Sequence, residues 1–178
     1  MSKEMSESTT SIRDPIAEAR RQWIAHGWEE SAAGMAAVTT LTRVQQILAG
    51  RVEEALAPVG LTFARFEILR LLGFSRRGRL PMGKISDRLQ VHPASVTSAV
   101  KRLERDGLIR REPDTVDNRI VLAVLLPAGE ELLIPATDAV NRVFSTIGLD
   151  DSQVTELIGL LNPIRHDAGD QIDTPGSH

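Results

Sequence analysis

Between Met82 and Leu126 the apolar residues change period, from three-and-four spacing to short β-rich runs, and few folds accommodate such a change within 45 residues. Ile85 and Leu89 are four apart, so a first short helix over 82–89 has one face that packs inward. Gln90 and Val91 make a turn, and His92-Pro93 opens a second helix, because a proline at the first helical position gives up only a donor that would have no partner. His92 reads as its cap. From Pro93 to about Asp106, Val96, Ala99, Val100 and Leu103 share a narrow arc. Ala94, Ser95, Ser98, Lys101, Arg102 and Arg105 fall on the other side. Gly107 stops the helix.

The runs 108–111 and 120–125 then read as strands, separated by the polar, turn-rich segment 112–119. Helix, turn, helix, strand, hairpin and strand is the order of parts in a winged helix-turn-helix. The second helix suits a major groove, with small and hydroxyl side chains first, then cations that reach phosphates or guanine. Arg119 falls at the base of the wing, two residues after Asp117, whose carboxylate can orient the guanidinium toward a minor groove or a phosphate.

Charge supports this reading when it is taken locally. The chain carries a formal net charge of −3, yet residues 76–119 hold eleven Lys and Arg against six acids, a local +5 that leaves −8 for the remainder. Such asymmetry is expected when one lobe meets phosphate and the others do not; the alternative is that these Lys and Arg only solvate helix faces.

The run HPASVTSAVKRLERDGLIRREPDTVDNRIVLAVLLPAGEEL resembles the MarR family of bacterial transcriptional regulators. Pro93, Ser95, Val96, Thr97, Val100, Leu103 and Glu104 match its recognition helix, and Asp117 and Arg119 its wing. Gly107, Leu108, Ile109, Pro127 and Gly129 match the following strand and the start of the next helix. Asn118 departs from the pattern, where the family often has a second basic residue. The resemblance extends more weakly over about residues 30–165. It implies that His92, Ala94, Ser95, Thr97, Ser98, Lys101, Arg102, Arg105, Asp117 and Arg119 face double-stranded DNA. It also implies a two-fold homodimer that holds two readers one helical turn apart on a pseudo-palindromic site.

The expected class is mainly α with a small antiparallel β wing, the reader being flanked by N- and C-terminal dimerisation helices. Residues 1–11 read as a disordered tail, 12–60 as N-terminal helices for dimerisation and a ligand cleft, and 61–126 as the reader. Residues 127–167 read as C-terminal dimerisation helices and 168–178 as a flexible tail. Helices are expected at about 14–26, 32–57 and 62–73, with a third strand at 79–81. Pro135 should kink the helix begun at Pro127 or start it afresh, and Asp150 or Asp151 should cap a last one. The terminal helices carry more apolar surface than a thin layer over the reader would need, which points to a partner surface.

Aromatic residues make up 3% of the chain, yet Trp23, His26 and Trp28 fall within six positions. Members of the resembling family often bind a small organic effector in a cleft. These rings could line one for an aromatic or acyl molecule, with Arg43 or Arg65 meeting its carboxylate or phosphate; alternatively the tryptophans pin the first helix to the dimer. The absence of cysteine excludes thiol-based sensing of oxidants and thiolate metal sites. Neither a catalytic motif nor a cofactor loop is present, so the chain reads as a non-enzyme without cofactor or metal. No secretion signal or long apolar run is seen, which suggests a cytoplasmic protein with no membrane contact. The competing reading is a winged-helix scaffold for proteins with little DNA affinity. Such a scaffold has no need of Lys101, Arg102, Arg105 and Arg119. Operator sequence, effector identity, regulated genes and the direction of regulation are not encoded in these patterns.

Overall fold

The computed structural model describes residues 14–89 and 93–172, which fall into two compact units meeting at Glu54/Ala55. The tail at 1–11, the turn at 90–92 with His92, and residues 173–178 lie outside the described residues.

In the first unit, Asp14 caps α1 (Pro15–Ala25) by accepting from the amides of Ile16 and Ala17, and Pro15 occupies the first helical position. Gly27 takes a positive φ of 83° and turns the chain toward α2 (Glu29–Leu56). That helix starts three residues before the expected Ala32. Glu29 and Glu30 occupy its first turn, where the positive end of the helix dipole favours carboxylates, and Ser31 donates to the carbonyl of Trp28. Val38, Leu41, Val44 and Ile47 remain exposed along α2.

The second unit opens with a single 3₁₀ turn, Ala57–Val59, ended by Gly60 in the left-handed region. Thr62 caps α3 (Phe63–Phe74), which contributes Phe66, Ile68, Leu69 and Leu72 to the core. Next come β1 (Arg79–Pro81), α4 (Met82–Leu89) and α5 (Pro93–Arg105), then β2 (Ile109–Pro113) and β3 (Val121–Leu125). The sheet is antiparallel with order β1-β3-β2, so the strand expected at 79–81 pairs beside the wing, with Arg79 opposite Val124 and Pro81 opposite Leu122. Ile85, Val96, Val100, Leu103, Ile109 and Ala123 are buried together with the α3 residues, and no charged or polar residue is buried among the described residues.

Two boundaries of the wing differ from expectation. Glu112 and Pro113 belong to β2 rather than to the loop, and Ile120 lies before β3 rather than within it. β2 is an edge strand, and a proline at its end, facing Val121, removes no ladder bond that a central strand would need. Asp114 closes the loop, its carboxylate accepting from the amide of Val116 and its own amide donating to the Ile120 carbonyl.

α6 (Pro127–Phe144) packs against α3 and passes through Pro135 as one helix, so of the two expectations there, a kink or a fresh start, the fresh start is corrected. Buried Leu133, Ala136, Ala139 and Val140 flank the proline and offset the cost of its missing hydrogen bond, about 3 kcal/mol. A Cβ on Gly129 would collide with the Leu108 carbonyl oxygen, so glycine alone lets the first turn of α6 lie against the residue that leads into β2. α7 (Asp151–Asp167) begins with a capping box, Asp150 with Gln153, and buries no residue.

Candidate nucleic-acid interface

On α5 the core side and the outer side separate as the periodicity requires. Val96, Val100 and Leu103 are buried; Ala94, Ser95, Thr97, Ser98, Lys101, Arg102 and Arg105 are exposed. Between α5 and the start of α3 lies an open depression of about 470 Å³, bordered by Thr62, Ala94, Ser95, Ser98 and Arg102. Small side chains and hydroxyls thus line a groove that Arg65 and Arg102 also border, an arrangement that admits a phosphate-bearing strand close to the backbone.

At the wing base, Asp117 Oδ1 accepts from both the Arg119 amide (3.0 Å) and Arg119 Nε (3.3 Å). The Arg119 side chain is 93% exposed, so its carboxylate partner aims it without burying it. A second depression, of about 510 Å³, joins Arg119 and Ile120 to Lys84 and Asp87 on α4.

Two ion pairs fix the reader, and neither was legible as a motif. Glu104 in the last turn of α5 accepts from Arg111 of β2 through its backbone N (3.1 Å) and Nε (2.8 Å), tying the recognition helix to the wing. The Arg111 side-chain hydrogen bond holds the Glu104 carboxyl below the usual glutamate range. Arg65 Nη1 lies 3.0 Å from Asp106 Oδ2 and Nη2 donates to the Gly60 carbonyl, which joins α3 to the end of α5. In both pairs a helix residue meets one on a different element, and no helical or strand period places such residues together.

The expected ligand residues separate. Trp23 and Trp28 meet edge to face at 5.2 Å between centroids, and His26 stacks on Trp28 at 5.7 Å. Arg43 does not join them within one chain, because fifteen residues after Trp28 along α2 amount to about 22 Å. Arg65 has its guanidinium committed to Asp106 and Gly60. A cleft of about 240 Å³ that the sequence did not reveal lies on α3, bordered by Phe63, Phe66, Leu71 and Phe144. Glu67 also borders it, and burial raises its carboxyl above the ordinary value. Among the described residues no cluster of acids and histidines has the geometry to hold a metal, and no helix is long and apolar enough to cross a membrane.

The MarR family model matches residues 61–121, from the residue before the α3 cap to the start of β3. Sco5413 of Streptomyces coelicolor, a MarR family transcriptional regulator of known structure, is 42% identical; the match covers 79% of this chain and 99% of that one, with a TM-score of 0.70. This chain belongs to the MarR family. As a MarR family transcriptional regulator it shares 29% identity over 106 residues with the HTH-type regulator MgrA of Staphylococcus aureus, 60% of this chain and 71% of that protein. The fold is also that of Sco3205 of Streptomyces coelicolor, a MarR family regulator crystallised with DNA; identity is 22%, coverage 78% and 93%, and the TM-score 0.70. The mainly α winged helix-turn-helix is thus the fold on which this MarR protein displays α5 and Arg119.

Proposed function

We propose that this MarR protein is a cytoplasmic homodimeric repressor that binds a pseudo-palindromic operator in double-stranded DNA and is released by a small aromatic or acyl molecule. The observation that carries the reading is the exposed face of α5, small residues and hydroxyls followed by Lys101, Arg102 and Arg105, with Arg119 held outward by Asp117 at the wing. A helix so arranged presents base-reading groups and phosphate-binding groups in the order a major groove requires. The DNA-bound structure of Sco3205, of the same fold, supports this use.

Two copies place two readers on one face of a duplex, and the exposed apolar residues of α2 and α7 are the surfaces they would bury. The ring cluster of Trp23, His26 and Trp28, or the α3 cleft beside Glu67, supplies an apolar seat with a polar edge for the ligand. Release requires that the ligand favour the arrangement that does not fit DNA. The test is a gel shift on the DNA upstream of this protein's own coding region, with aromatic and acyl compounds added. Retarded DNA that a compound frees is the expected result. If Arg102→Ala binds as tightly as the parent at several salt concentrations, the groove assignment is wrong and a protein-binding scaffold takes its place.

A further inference from the structure

The cations of the second unit are not confined to α5 and the wing. At the corner between α3 and β1 an open depression of about 500 Å³ is lined by Arg76, Arg77, Arg79 and Arg88, with no carboxylate among its lining residues. Arg79 reaches Glu112 at 3.9 Å, but that carboxylate also takes Arg110 Nε at 2.9 Å. Arg76, Arg77 and Arg88 form no ion pair among the described residues. Guanidinia gathered around one hollow repel one another, and an anion that enters it relieves the repulsion. Their planar forks match phosphate oxygens two at a time.

The register shows where this hollow lies relative to the wing. β1 runs from Arg79, opposite Val124, to Pro81, opposite Leu122, and so heads toward the wing base. α4 follows at Met82 and packs back along β1. Lys84 therefore shares the wing-base depression with Arg119, and Arg88, one turn later on the same helical face, shares the corner depression with Arg79. The step from Lys84 to Arg88 is about 6 Å of helix axis, and each DNA strand carries a phosphate every 3.4 Å or so of duplex axis. Arg119, Lys84, Arg88 and the corner arginines make one cationic track, with Asp87 the single acid bordering either depression.

We propose that this track binds the phosphate backbone of DNA flanking the segment read by α5 and the wing, so that affinity depends on duplex of any sequence beyond the recognised bases. The proposal rests on the DNA-binding reading above. A phosphate-bearing small molecule in the corner is the competing occupant, and it predicts no dependence on duplex length.

Selection from random-sequence DNA yields a core duplex, which is compared with the same core extended by about ten base pairs of unrelated sequence on each side, one helical turn. Binding of the full chain to both is followed by fluorescence anisotropy across a salt series. The parent should bind the extended duplex about tenfold more tightly, with a salt slope steeper by roughly two. The triple variant Arg76→Gln, Arg77→Gln, Arg88→Gln should lose that gain and keep its affinity for the core duplex. The corresponding Lys variant, which keeps the charges, should retain much of the gain. No gain from extension in the parent, an equal gain in the Gln variant, or equal loss on both duplexes overturns the track while leaving core recognition intact. A parent that binds no selected duplex at all overturns the DNA reading and the track together.

Discussion

Glu104 and Arg111 are joined by two hydrogen bonds, backbone and side chain, that couple the last turn of α5 to the edge strand of the wing. One carboxylate therefore ties together the two parts proposed to touch DNA. Arg111 lowers the folded-state pKa of Glu104. The pair's contribution to stability is accordingly full above the unfolded-state pKa and disappears as pH falls through the folded-state value. Glu104→Gln should lower the melting temperature near neutrality, and the gap to the parent should close between about pH 6 and about pH 3. A gap that stays constant over that range would remove the ion pair from the account. The same variant should weaken DNA binding although Glu104 itself offers no donor to a phosphate.

Gly129 is required by contact rather than by backbone angle, because a Cβ there meets the Leu108 carbonyl and the Leu125 side chain. Gly129→Ala should destabilise the protein by about 2 kcal/mol or more, since backbone must move to admit it. Gly50, inside α2, has no heavy atom within 4 Å of its would-be Cβ. There the same substitution should be neutral or stabilising by up to about 1 kcal/mol, because alanine is the better helix former. Urea denaturation of both variants checks the contrast, and equal effects would show that the close approach at Leu108 is not tight.

What the sequence made legible was whatever has a period or a punctuation mark. Val96, Val100 and Leu103 declare a buried face by spacing, and Gly107 and Pro93 declare the ends of α5 by their backbone chemistry. Even the three-residue β1 was legible, because winged helices commonly carry a third strand beside the wing and Arg79-Leu80-Pro81 falls where it is needed. The Glu104–Arg111 and Arg65–Asp106 pairs were not, since each depends on how separate elements come together. Arg65 could thus be read as a free cation although Asp106, 41 residues on, occupies it. Pro135 left a kink and a fresh start both open for a related reason: local chemistry disfavours a helix there, and the burial of its neighbours, which outweighs that preference, is set by tertiary packing.

Asp117 acts through Arg119, and the two can be separated by a double-mutant cycle. Arg119→Ala should weaken DNA binding and reduce the salt slope by about one per protomer, about two for the dimer. Asp117→Ala should weaken binding less, because the guanidinium remains but is no longer aimed. Adding Asp117→Ala to Arg119→Ala should then cost nothing further. Full additivity in anisotropy titrations would instead give Asp117 a role of its own at the wing.

α7 buries none of its residues, and Ile158, Leu160 and Ile164 are 51%, 67% and 62% exposed. A helix with this much uncovered apolar surface loses the gain from burial, about 1.5–3 kcal/mol for each large aliphatic side chain, unless another surface covers it. A second copy of the chain is the partner the proposed function requires. Leu160→Asp with Ile164→Asp should then shift the mass seen by analytical ultracentrifugation from dimer to monomer. Far-UV circular dichroism should change little, because both positions lie outside the core. Operator affinity should fall with dissociation, since a single reader contacts half of a two-fold site. A variant that stays dimeric would place the dimer contact elsewhere than on α7, and a parent already monomeric at concentrations where it saturates DNA would overturn the dimer itself.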